Sequence, residues 1–356
     1  MANRLVTLLL SPASLLFGVI VWLRNLAYTK GWLRSYTVPA PVVSVGNLTV
    51  GGTGKTPMVI ALAGFFMEQG YHVGIVSRGF RRKSRGVRLV SDGKTLFANA
   101  QESGDEPYLM AEQLRRAVVI VGEDRVSAAR MAVDRFGCNL ILADDAFQHR
   151  RLHRDADVVL WAADQNPKGQ FILPSGRLRE PLNAIRRADF LLFTRAATLP
   201  VYHRCFEQYG HIRHQASVPM YLQAIWDIRN NEVIRELTFK NQRILAFCGL
   251  GCPEQFFEAI KRLEPEIIDT ITFPDHHAYS SRDVKRILRG QQKKNDQYLV
   301  TTRKDWIKLK TIWPSERPLY VVEMELRPDP IFLQQLLHTI RQHSRKALAK
   351  HPMNDR

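Results

Sequence analysis

The sequence contains few cysteines for its length. Its 356 residues include four cysteines, too few for a disulfide scaffold of this size. Only Cys248 and Cys252 lie close together, and no second pair completes a zinc site of the usual spacing. There is no internal repeat and no low-complexity tract, and an apolar fraction of 45% excludes wholesale disorder and a fibrous protein. We therefore expect reduced thiols and a globular cytosolic part of about two domains.

Acidic residues are scarce relative to basic ones. Aspartate and glutamate number 34 against 51 lysines and arginines, which gives a formal net charge of +17. So large an excess points to an anionic partner: nucleic acid, an acidic membrane face or a phosphorylated substrate. Charge alone does not choose among these partners. The absence of an aromatic-studded recognition motif in the sequence disfavours nucleic acid.

An uncharged stretch, Leu5–Trp22, lies near the N-terminus. As a helix it would be about 27 Å long, the lower limit for spanning a bilayer. It could be a spanning helix, a helix lying in the membrane interface, a signal peptide or a buried core helix. A single basic residue ahead of it and no clear small-x-small cleavage site disfavour the signal peptide. The basic and aromatic residues that follow favour a membrane anchor: Trp22, Arg24, Tyr28, Lys30, Trp32 and Arg34.

From Pro41 onward, short apolar runs alternate with helical patterns. This alternation predicts a parallel sheet covered by helices. The predicted strands are Val42–Val45, His72–Ser77, Val118–Val121, Asn139–Ala143, Asp157–Trp161 and Phe190–Phe193, and the predicted helices are Pro57–Gln69, Glu106–Arg116 and Asp124–Phe136.

Near Met220 the pattern changes. MYLQAIWDI and EVIREL flank Arg229-Asn230-Asn231, which predicts a β-hairpin. We interpret this hairpin as the linker to a second α/β domain, with strands at Arg243–Phe247, Gln297–Thr301 and Leu319–Val322 and helices at Pro253–Leu263 and from Pro330 to about His343. The predicted segments are 1–35 (hydrophobic helix and basic flank), 36–218 (phosphate-loop domain), 219–240 (hairpin linker), 241–345 (second domain) and 346–356 (basic tail).

The sharpest motif is VVSVGNLTVGGTGKTP, in which a buried strand leads into a glycine-rich turn and a helix. Glycine backbone N–H groups can approach phosphate oxygens, Lys55 can reach the β- and γ-phosphates, and the Thr56 hydroxyl can bind Mg²⁺. Thr49 stands where the strict motif has glycine. A glycine-rich turn with a chance lysine is the alternative, which the strand–loop–helix context disfavours. The predicted nucleotide-binding residues are Thr49, Val50, Gly51, Gly52, Thr53, Gly54, Lys55 and Thr56.

Carboxylates at two places are candidates for chemistry. Asp144 and Asp145 end an apolar strand, where phosphate-loop enzymes hold Mg²⁺ directly or through water, although they could also cap the next element. Asp105 precedes Pro107 and reads as a helix N-cap, which is compatible with facing an active site. Glu180 lies among arginines and could form an ordinary ion pair.

Basic loops and a histidine pair complete the candidates. SRGFRRKSRG follows the second strand and would face the same crevice as the phosphate loop, binding an anionic substrate or headgroups, or would be solvated. In FPDHHAYS, Asp275 and His276 suggest a base or a ligand, although most histidines are structural. The candidate substrate-binding residues are Arg78, Arg81, Arg125 and His149.

Several motifs occur together in one order. The apolar N-terminal helix is followed by GNLTVGGTGKTP, SRGF, GDEP, ILADDAFQHR, LREP and FPDHHAY. As a set they resemble the tetraacyldisaccharide 4′-kinases, the lipid A 4′-kinases of the Gram-negative inner membrane, over nearly all of residues 1–330. The resemblance implies two α/β/α sandwich domains joined by a two-stranded β linker. It also implies a P-loop NTPase-like parallel sheet in the first domain and an active site between the domains, on the cytosolic side.

The resemblance also implies an activity. That activity is ATP-dependent phosphorylation of the 4′-hydroxyl of a tetraacyldisaccharide 1-phosphate, which gives lipid IVA in lipid A biosynthesis. In this reading Asp105, oriented by His276, accepts the proton of the hydroxyl. The residues that match the family's motifs are Lys55 and Thr56 of the loop, Asp144, Asp145 and Glu180 of the magnesium site, and the catalytic pair Asp105 and His276.

The implied partners are ATP with Mg²⁺, a lipid disaccharide phosphate and the membrane surface, and no nucleic acid is expected. The N-terminal helix would hold the enzyme at the inner membrane, with its catalytic domains in the cytosol. The alternative is a membrane-associated phosphate-loop NTPase that acts on a protein partner. Such a protein would hydrolyse nucleotide without a lipid acceptor, and it explains the hydrophobic N-terminus poorly.

Overall fold

The computed structural model describes residues 2–210, 212–292 and 298–350. Its first part is an eight-stranded sheet in which only the edge strand β3 runs antiparallel to its neighbour. The strands are β1 (Val42–Asn47), β2 (Val73–Ser77), β3 (Arg88–Asp92), β4 (Val118–Val121), β5 (Leu140–Asp144), β6 (Ala156–Ala162), β7 (Phe190–Thr194) and β8 (His214–Val218). Their order across the sheet is β3-β4-β2-β5-β1-β6-β7-β8.

Helices cover both faces of this sheet, so its central strands are buried along their length and read as near-continuous apolar runs. The helices are α1 (Ala2–Thr29), α2 (Lys55–Glu68), α3 (Ala100–Ser103), α4 (Asp105–Gln113) and α5 (Arg125–Phe136), with 3₁₀ turns at Leu182–Arg187 and Val201–Tyr209. On one face, α2 packs Met58, Leu62 and Phe66 into the core. On the other face, α5 buries Val126 and Ala129.

The second part is a six-stranded mixed sheet. Its strands are β9 (Met220–Asp227), β10 (Glu232–Ile234), β11 (Arg243–Cys248), β12 (Ile267–Thr272), β13 (Tyr298–Thr302) and β14 (Tyr320–Leu326), in the order β10-β9-β14-β13-β11-β12. Its helices are α6 (Pro253–Lys261), α7 (Ser281–Gln292), α8 (Arg303–Leu309) and α9 (Pro330–Lys350), with a 3₁₀ turn at Glu236–Phe239. This architecture confirms the predicted α/β fold class.

The connection between the domains differs from the predicted one. The hairpin forms, with Asn231 at φ 53° in its turn, but β9 also pairs antiparallel along β14 and belongs to the second sheet. The chain therefore crosses between the sheets on β9 and returns after β14. The strands that carry the chain between the two sheets are β9 and β14, and the predicted linker at 219–240 contains only β9.

The last helix also differs from its predicted place in segment 241–345. Phe332, Leu336 and Ile340 of α9 are buried in the core of the first sheet, and the Phe332 ring lies 5.3 Å from that of Phe190. The helix runs to Lys350, into the predicted basic tail, and residues 351–356 lie outside the described residues. The helix that closes the sequence therefore completes the first core.

The two domains meet where α4 packs against α8. Tyr108, Leu109 and Ile307 form a small buried cluster across the junction. Polar contacts surround it: Arg303 pairs with Glu112 at 3.1 Å, and Lys310 Nζ donates to the Tyr108 hydroxyl at 2.7 Å. Asp105 is the first residue of α4, so the packing of α4 against α8 places Asp105 opposite the second domain.

The N-terminal helix α1 rests on the first domain along one side only. Ser14 Oγ donates to the Ile172 carbonyl at 3.1 Å, while Leu15 and Leu16 are 72% and 64% exposed. Within the described chain, the stretch Leu9–Thr29 alone is long and apolar enough to cross a membrane, with a mean hydropathy of 1.5.

Candidate active site

The phosphate loop lies between β1 and α2 and is held by its own polar groups. Asn47 Nδ2 donates to Thr53 Oγ1 at 2.9 Å, and Thr194 Oγ1 donates to the Thr53 carbonyl at 3.0 Å. Gly51 and Gly54 have φ of 114° and 83°, where side chains are rarely accommodated. Gly54 precedes α2, and no described side chain caps that helix. The N-terminus of α2 is thus available to an anion.

A neighbouring segment braces the loop by backbone pairing. Val50 N donates to the Arg177 carbonyl at 2.8 Å, and Arg179 N donates to the Leu48 carbonyl at 2.7 Å. Thr49, paired with Leu178 in a short β-bridge, is 1% exposed. The threonine that stands where the strict motif has glycine is therefore buried and paired with this neighbouring segment.

Lys55 and Asp145 form the charged centre of the site. Lys55 Nζ lies 3.6 Å from Asp145 Oδ1, and Arg179 Nη1 donates to both Asp145 oxygens at 2.8 and 3.0 Å. Burial raises the pKa of Asp145, but the charges of Lys55 and Arg179 outweigh burial and hold it below its ordinary value. Asp145 is therefore ionised and tied to the loop lysine.

Asp144 has a different environment. It is 2% exposed, Ser77 Oγ donates to its Oδ2 at 2.9 Å, and its Oδ1 is buried with no partner within the described part of the chain. Burial, together with the charges of Glu106 and Asp145, raises its pKa to about 7. A buried carboxylate with an unsatisfied oxygen is stabilised by a cation. Asp144, with Thr56 in the first turn of α2, therefore fits Mg²⁺.

Glu180, the fourth predicted magnesium ligand, lies in a polar cluster with residues of the N-terminal helix. It is fully buried, its Oε1 accepts from Arg24 at 3.2 Å, and its Oε2 accepts from Asn25 at 2.9 Å and from Arg187 at 2.8 Å. These partners fix the end of α1 and occupy both oxygens. Among the residues that the structure describes, no group of three or more His, Cys, Asp or Glu side chains could hold a metal ion.

Asp105 and His276 meet across the domain junction. His276 Nδ1 lies 3.5 Å from Asp105 Oδ2, and their side chains are 13% and 21% exposed. His276 has φ 58°, an uncommon conformation for a non-glycine residue that is often found at functional sites. Burial raises the pKa of Asp105, but the hydrogen bond from His276 and the charge of Lys308, 4.0 Å away, bring it below its ordinary value. Asp105 is therefore ionised at neutral pH.

The neighbouring His277 has separate contacts. Its Nε2 lies 3.2 Å from Asp283 Oδ2, and its ring stacks on Phe273 at 4.8 Å. Of the two adjacent histidines, His276 is therefore the one that faces Asp105.

The four candidate substrate residues divide into two kinds. Arg78 and Arg81 are exposed, with Arg81 over the Phe80 ring at 5.4 Å. Arg125 is 4% exposed and donates to the Gly122 carbonyl at 3.2 Å. Burial lowers the pKa of Arg125 to about 10, against the opposing effect of Asp144 and Asp145.

His149 is mostly enclosed, and its Nε2 is buried without a partner in the described chain. Burial, with the nearby charge of Arg125, lowers its pKa to about 4, so it is neutral at physiological pH. Of the four, only Arg78 and Arg81 are open to an anionic substrate in this conformation, whereas Arg125 and His149 are enclosed.

The sequence analysis did not identify the basic residues that lie beside Asp145 and beside the Asp105–His276 pair. Arg179 pairs with Asp145, and Lys304 and Lys308 of α8 lie beside Asp105 and His276. The two lysines are four positions apart in TTRKDWIKLK, where Thr302 caps the helix. That spacing places both on one helical face and was a usable signal.

The chain is similar to one protein family along nearly its whole length. The family model described as Tetraacyldisaccharide-1-P 4′-kinase matches residues 6–341. A tetraacyldisaccharide 4′-kinase of Geobacter sulfurreducens is 36% identical over 345 residues, covering 95% of each chain. One from Chlorobaculum tepidum is 37% identical over 326 residues, covering 87% of this chain and 88% of the relative.

A solved structure is similar over almost the whole chain. The crystal structure of the "apo" form LpxK from Aquifex aeolicus in complex with ATP matches with a TM-score of 0.73 and 32% identity. The match covers 96% of this chain and 99% of that chain. The predicted family is confirmed: the chain belongs to the tetraacyldisaccharide-1-P 4′-kinase family.

Proposed function

We propose that this protein transfers the γ-phosphoryl group of ATP to the 4′-hydroxyl of a tetraacyldisaccharide 1-phosphate. The observation that carries the proposal is that the phosphate loop lies against the second domain, with Gly54 beside Leu326 and Gly52 beside Gly251, while the Asp105–His276 pair also joins the two domains. The loop supplies the nucleotide side of the reaction, and Asp105 supplies the acceptor side.

On the nucleotide side, the chain provides amides and a cation. The N–H groups around Gly51 to Thr56 and the N-terminus of α2 bind the phosphates, and Lys55 turns from Asp145 towards the γ-phosphate. Thr56 and Asp144 would hold Mg²⁺, with Asp145 beside them. A bound Mg²⁺ neutralises charge on the β- and γ-phosphoryl oxygens.

On the acceptor side, Asp105 accepts the proton of the 4′-hydroxyl. As the O–H bond breaks, the oxygen bonds to the γ-phosphorus, and the bond from that phosphorus to the β-phosphate oxygen breaks to leave ADP. A positioned base of this kind contributes about 10²–10⁴-fold to the rate. Arg78 and Arg81, exposed after β2, are suited to the anionic groups of the substrate.

We place the protein at the inner membrane with its catalytic domains in the cytosol. Support comes from the exposed apolar side of α1 and from a groove of about 870 Å³ between α1 and the segment around Phe171 to Leu182. Phe171 is itself 56% exposed beside α1. Apolar walls at this position suit acyl chains, and the excess positive charge suits anionic lipid.

The reaction is tested with γ-labelled ATP and a purified lipid disaccharide 1-phosphate. We expect label in the lipid and little release to water. Lys55→Ala serves as the negative control. Label released only as inorganic phosphate, with or without lipid, would instead support the NTPase that acts on a protein partner.

Membrane attachment is tested by charging the exposed side of α1. Leu15→Glu combined with Leu16→Glu should move the protein from the vesicle-bound to the soluble fraction in flotation with anionic vesicles. Val201→Glu, at a site 98% exposed outside α1, is the matched control. An unchanged bound fraction in the double variant would reject the anchor.

A further inference from the structure

The Asp105–His276 pair has a third neighbour, which comes from α8 of the second domain. Lys304 Nζ lies 3.4 Å from His276 Nε2, the ring nitrogen that does not face Asp105. We propose that Lys304 is a positioning residue that fixes the tautomer of His276, keeping the ring proton on Nδ1 for donation to Asp105. This inference rests on the proposed function, because it concerns the same catalytic pair.

The direction of the hydrogen bond follows from the chemistry of the two groups. An ammonium group has three N–H donors and no acceptor. A hydrogen bond between Lys304 and His276 Nε2 therefore requires a lone pair on Nε2. A neutral imidazole then carries its single proton on Nδ1, which lies 3.5 Å from Asp105 Oδ2.

Competing partners for Nε2 are farther away. If Nε2 carried the proton, it could donate only to Asp275 Oδ2 at 3.9 Å or Glu106 Oε1 at 4.0 Å among the carboxylates paired with it. Both are longer than the contact with Lys304. The same two residues instead hold the lysine, with Glu106 Oε1 at 3.4 Å and Asp275 Oδ1 at 3.5 Å from Nζ.

Lys304 is kept charged where it lies. Burial lowers its pKa, but the carboxylates of Glu106, Asp275, Asp305 and Asp105 outweigh burial and raise it above its ordinary value. The lysine therefore remains a donor across the physiological range. Its only role towards the imidazole is to donate to it.

A fixed tautomer assigns separate tasks to the two residues of the pair. With Nδ1–H directed at Asp105, His276 stabilises the carboxylate and orients it. The proton released by the sugar hydroxyl then goes to Asp105 and not to the imidazole. The opposite tautomer would place a lone pair against Asp105 and weaken both orientation and charge stabilisation.

The groups facing His276 come from four elements. They are Asp105 and Glu106 of α4, Asp275 of the loop before α7, Lys304 of α8, and the exposed Phe80 ring, 5.5 Å away. Lys308 lies 4.0 Å from Asp105. Lys308 alters the charge at Asp105, whereas the 3.4 Å contact with His276 Nε2 is made by Lys304, so a variant of Lys308 separates a charge effect from a tautomer effect.

The first test reads the tautomer directly. In the full-length protein labelled with ¹⁵N-histidine, the His276 signals are identified by their loss in His276→Asn. We expect Nδ1 protonated in the native protein and in Lys308→Met, and a shift towards Nε2 protonation in Lys304→Met. A native His276 protonated on Nε2, or no change in Lys304→Met, overturns the proposal.

The second test reads catalysis. We expect Lys304→Met to lower kcat at least 10-fold with the KM for ATP within about 2-fold, and Lys304→Arg, which restores a donor-only cation, to recover most of the rate. Lys261→Met, which removes an exposed lysine of α6 in the second domain, is the matched control and should keep the native rate. An unchanged kcat in Lys304→Met overturns the positioning role. If Asp105→Asn and His276→Asn were also fully active, the proposed roles of the pair would fail instead, whatever the tautomer.

Discussion

The phosphate loop and the Asp105–His276 pair lie at one junction but are assembled differently. The loop is a continuous segment fixed mainly inside the first domain, as in the 2.9 Å contact between Asn47 and Thr53. The pair joins residues 171 positions apart, one on α4 and one in the loop before α7. The nucleotide half should therefore tolerate a loosened junction, whereas the acceptor half should depend on it.

The largest expected effect is at the acceptor half. Asp105→Asn keeps the size of the side chain but removes the base, so kcat should fall about 10²–10⁴-fold. The affinity for ATP should remain near the native value, because the loop is untouched. Steady-state kinetics and a nucleotide-binding titration measure the two quantities, and turnover close to native would count against the assigned role.

The next effect is at the nucleotide half. Lys55→Ala should lower kcat about 10²–10³-fold, since a preorganised positive charge is lost from the transferring phosphoryl group. Unlike Asp105→Asn, it should also weaken ATP binding. The unfolding midpoint verifies that the fold is intact. Normal turnover, or unaltered ATP affinity, would contradict the proposed contrast.

A third change loosens the junction itself. Ile307→Ala trims the cluster of Tyr108, Leu109 and Ile307, and should lower kcat up to about 10²-fold by misplacing the pair. ATP affinity should change little. Ile331→Ala, the same truncation at a site 61% exposed, is the control. Equal losses of ATP affinity and of kcat would show that the two halves are not independent.

The smallest effect is a change in pH dependence. Lys308 lowers the pKa of Asp105, so Lys308→Met should raise it towards its ordinary value. Because the base must be ionised, the acid limb of the kcat/KM profile should move to higher pH, with the alkaline limb unchanged. The measurement is a pH–rate series on both proteins, and an acid limb that stays in place or moves down contradicts the electrostatic role.

In the first sheet, the strands that the sequence predicted are those buried on both faces. Val118–Val121 is found with the predicted bounds, and β1, β5 and β6 are displaced by one or two residues at most at each end. The strands that were missed are β3, β8 and β12, and each lies at the edge of a sheet. An edge strand needs no continuous apolar run, so its pattern is weak.

The site divides in the same way. The loop from Thr49 to Thr56 could be predicted because its phosphate-binding residues are consecutive in the sequence. From the residues alone, Asp105 was predicted to be a helix cap. Its pairing with His276 was predicted from the family resemblance, because no local sequence pattern encodes packing between domains. Glu180 was also assigned by resemblance, and its carboxylate accepts hydrogen bonds from Arg24, Asn25 and Arg187, so its role at the magnesium site stays a prediction.

The return of the chain after β14 has a consequence for biosynthesis. Leu326 pairs with Met220, so the second domain is an insertion whose two ends are adjacent. Phe332, Leu336 and Ile340, which lie beyond that insertion, fill the first core. On the ribosome, the nucleotide-binding domain therefore begins first but is completed last, after the whole insertion has been synthesised.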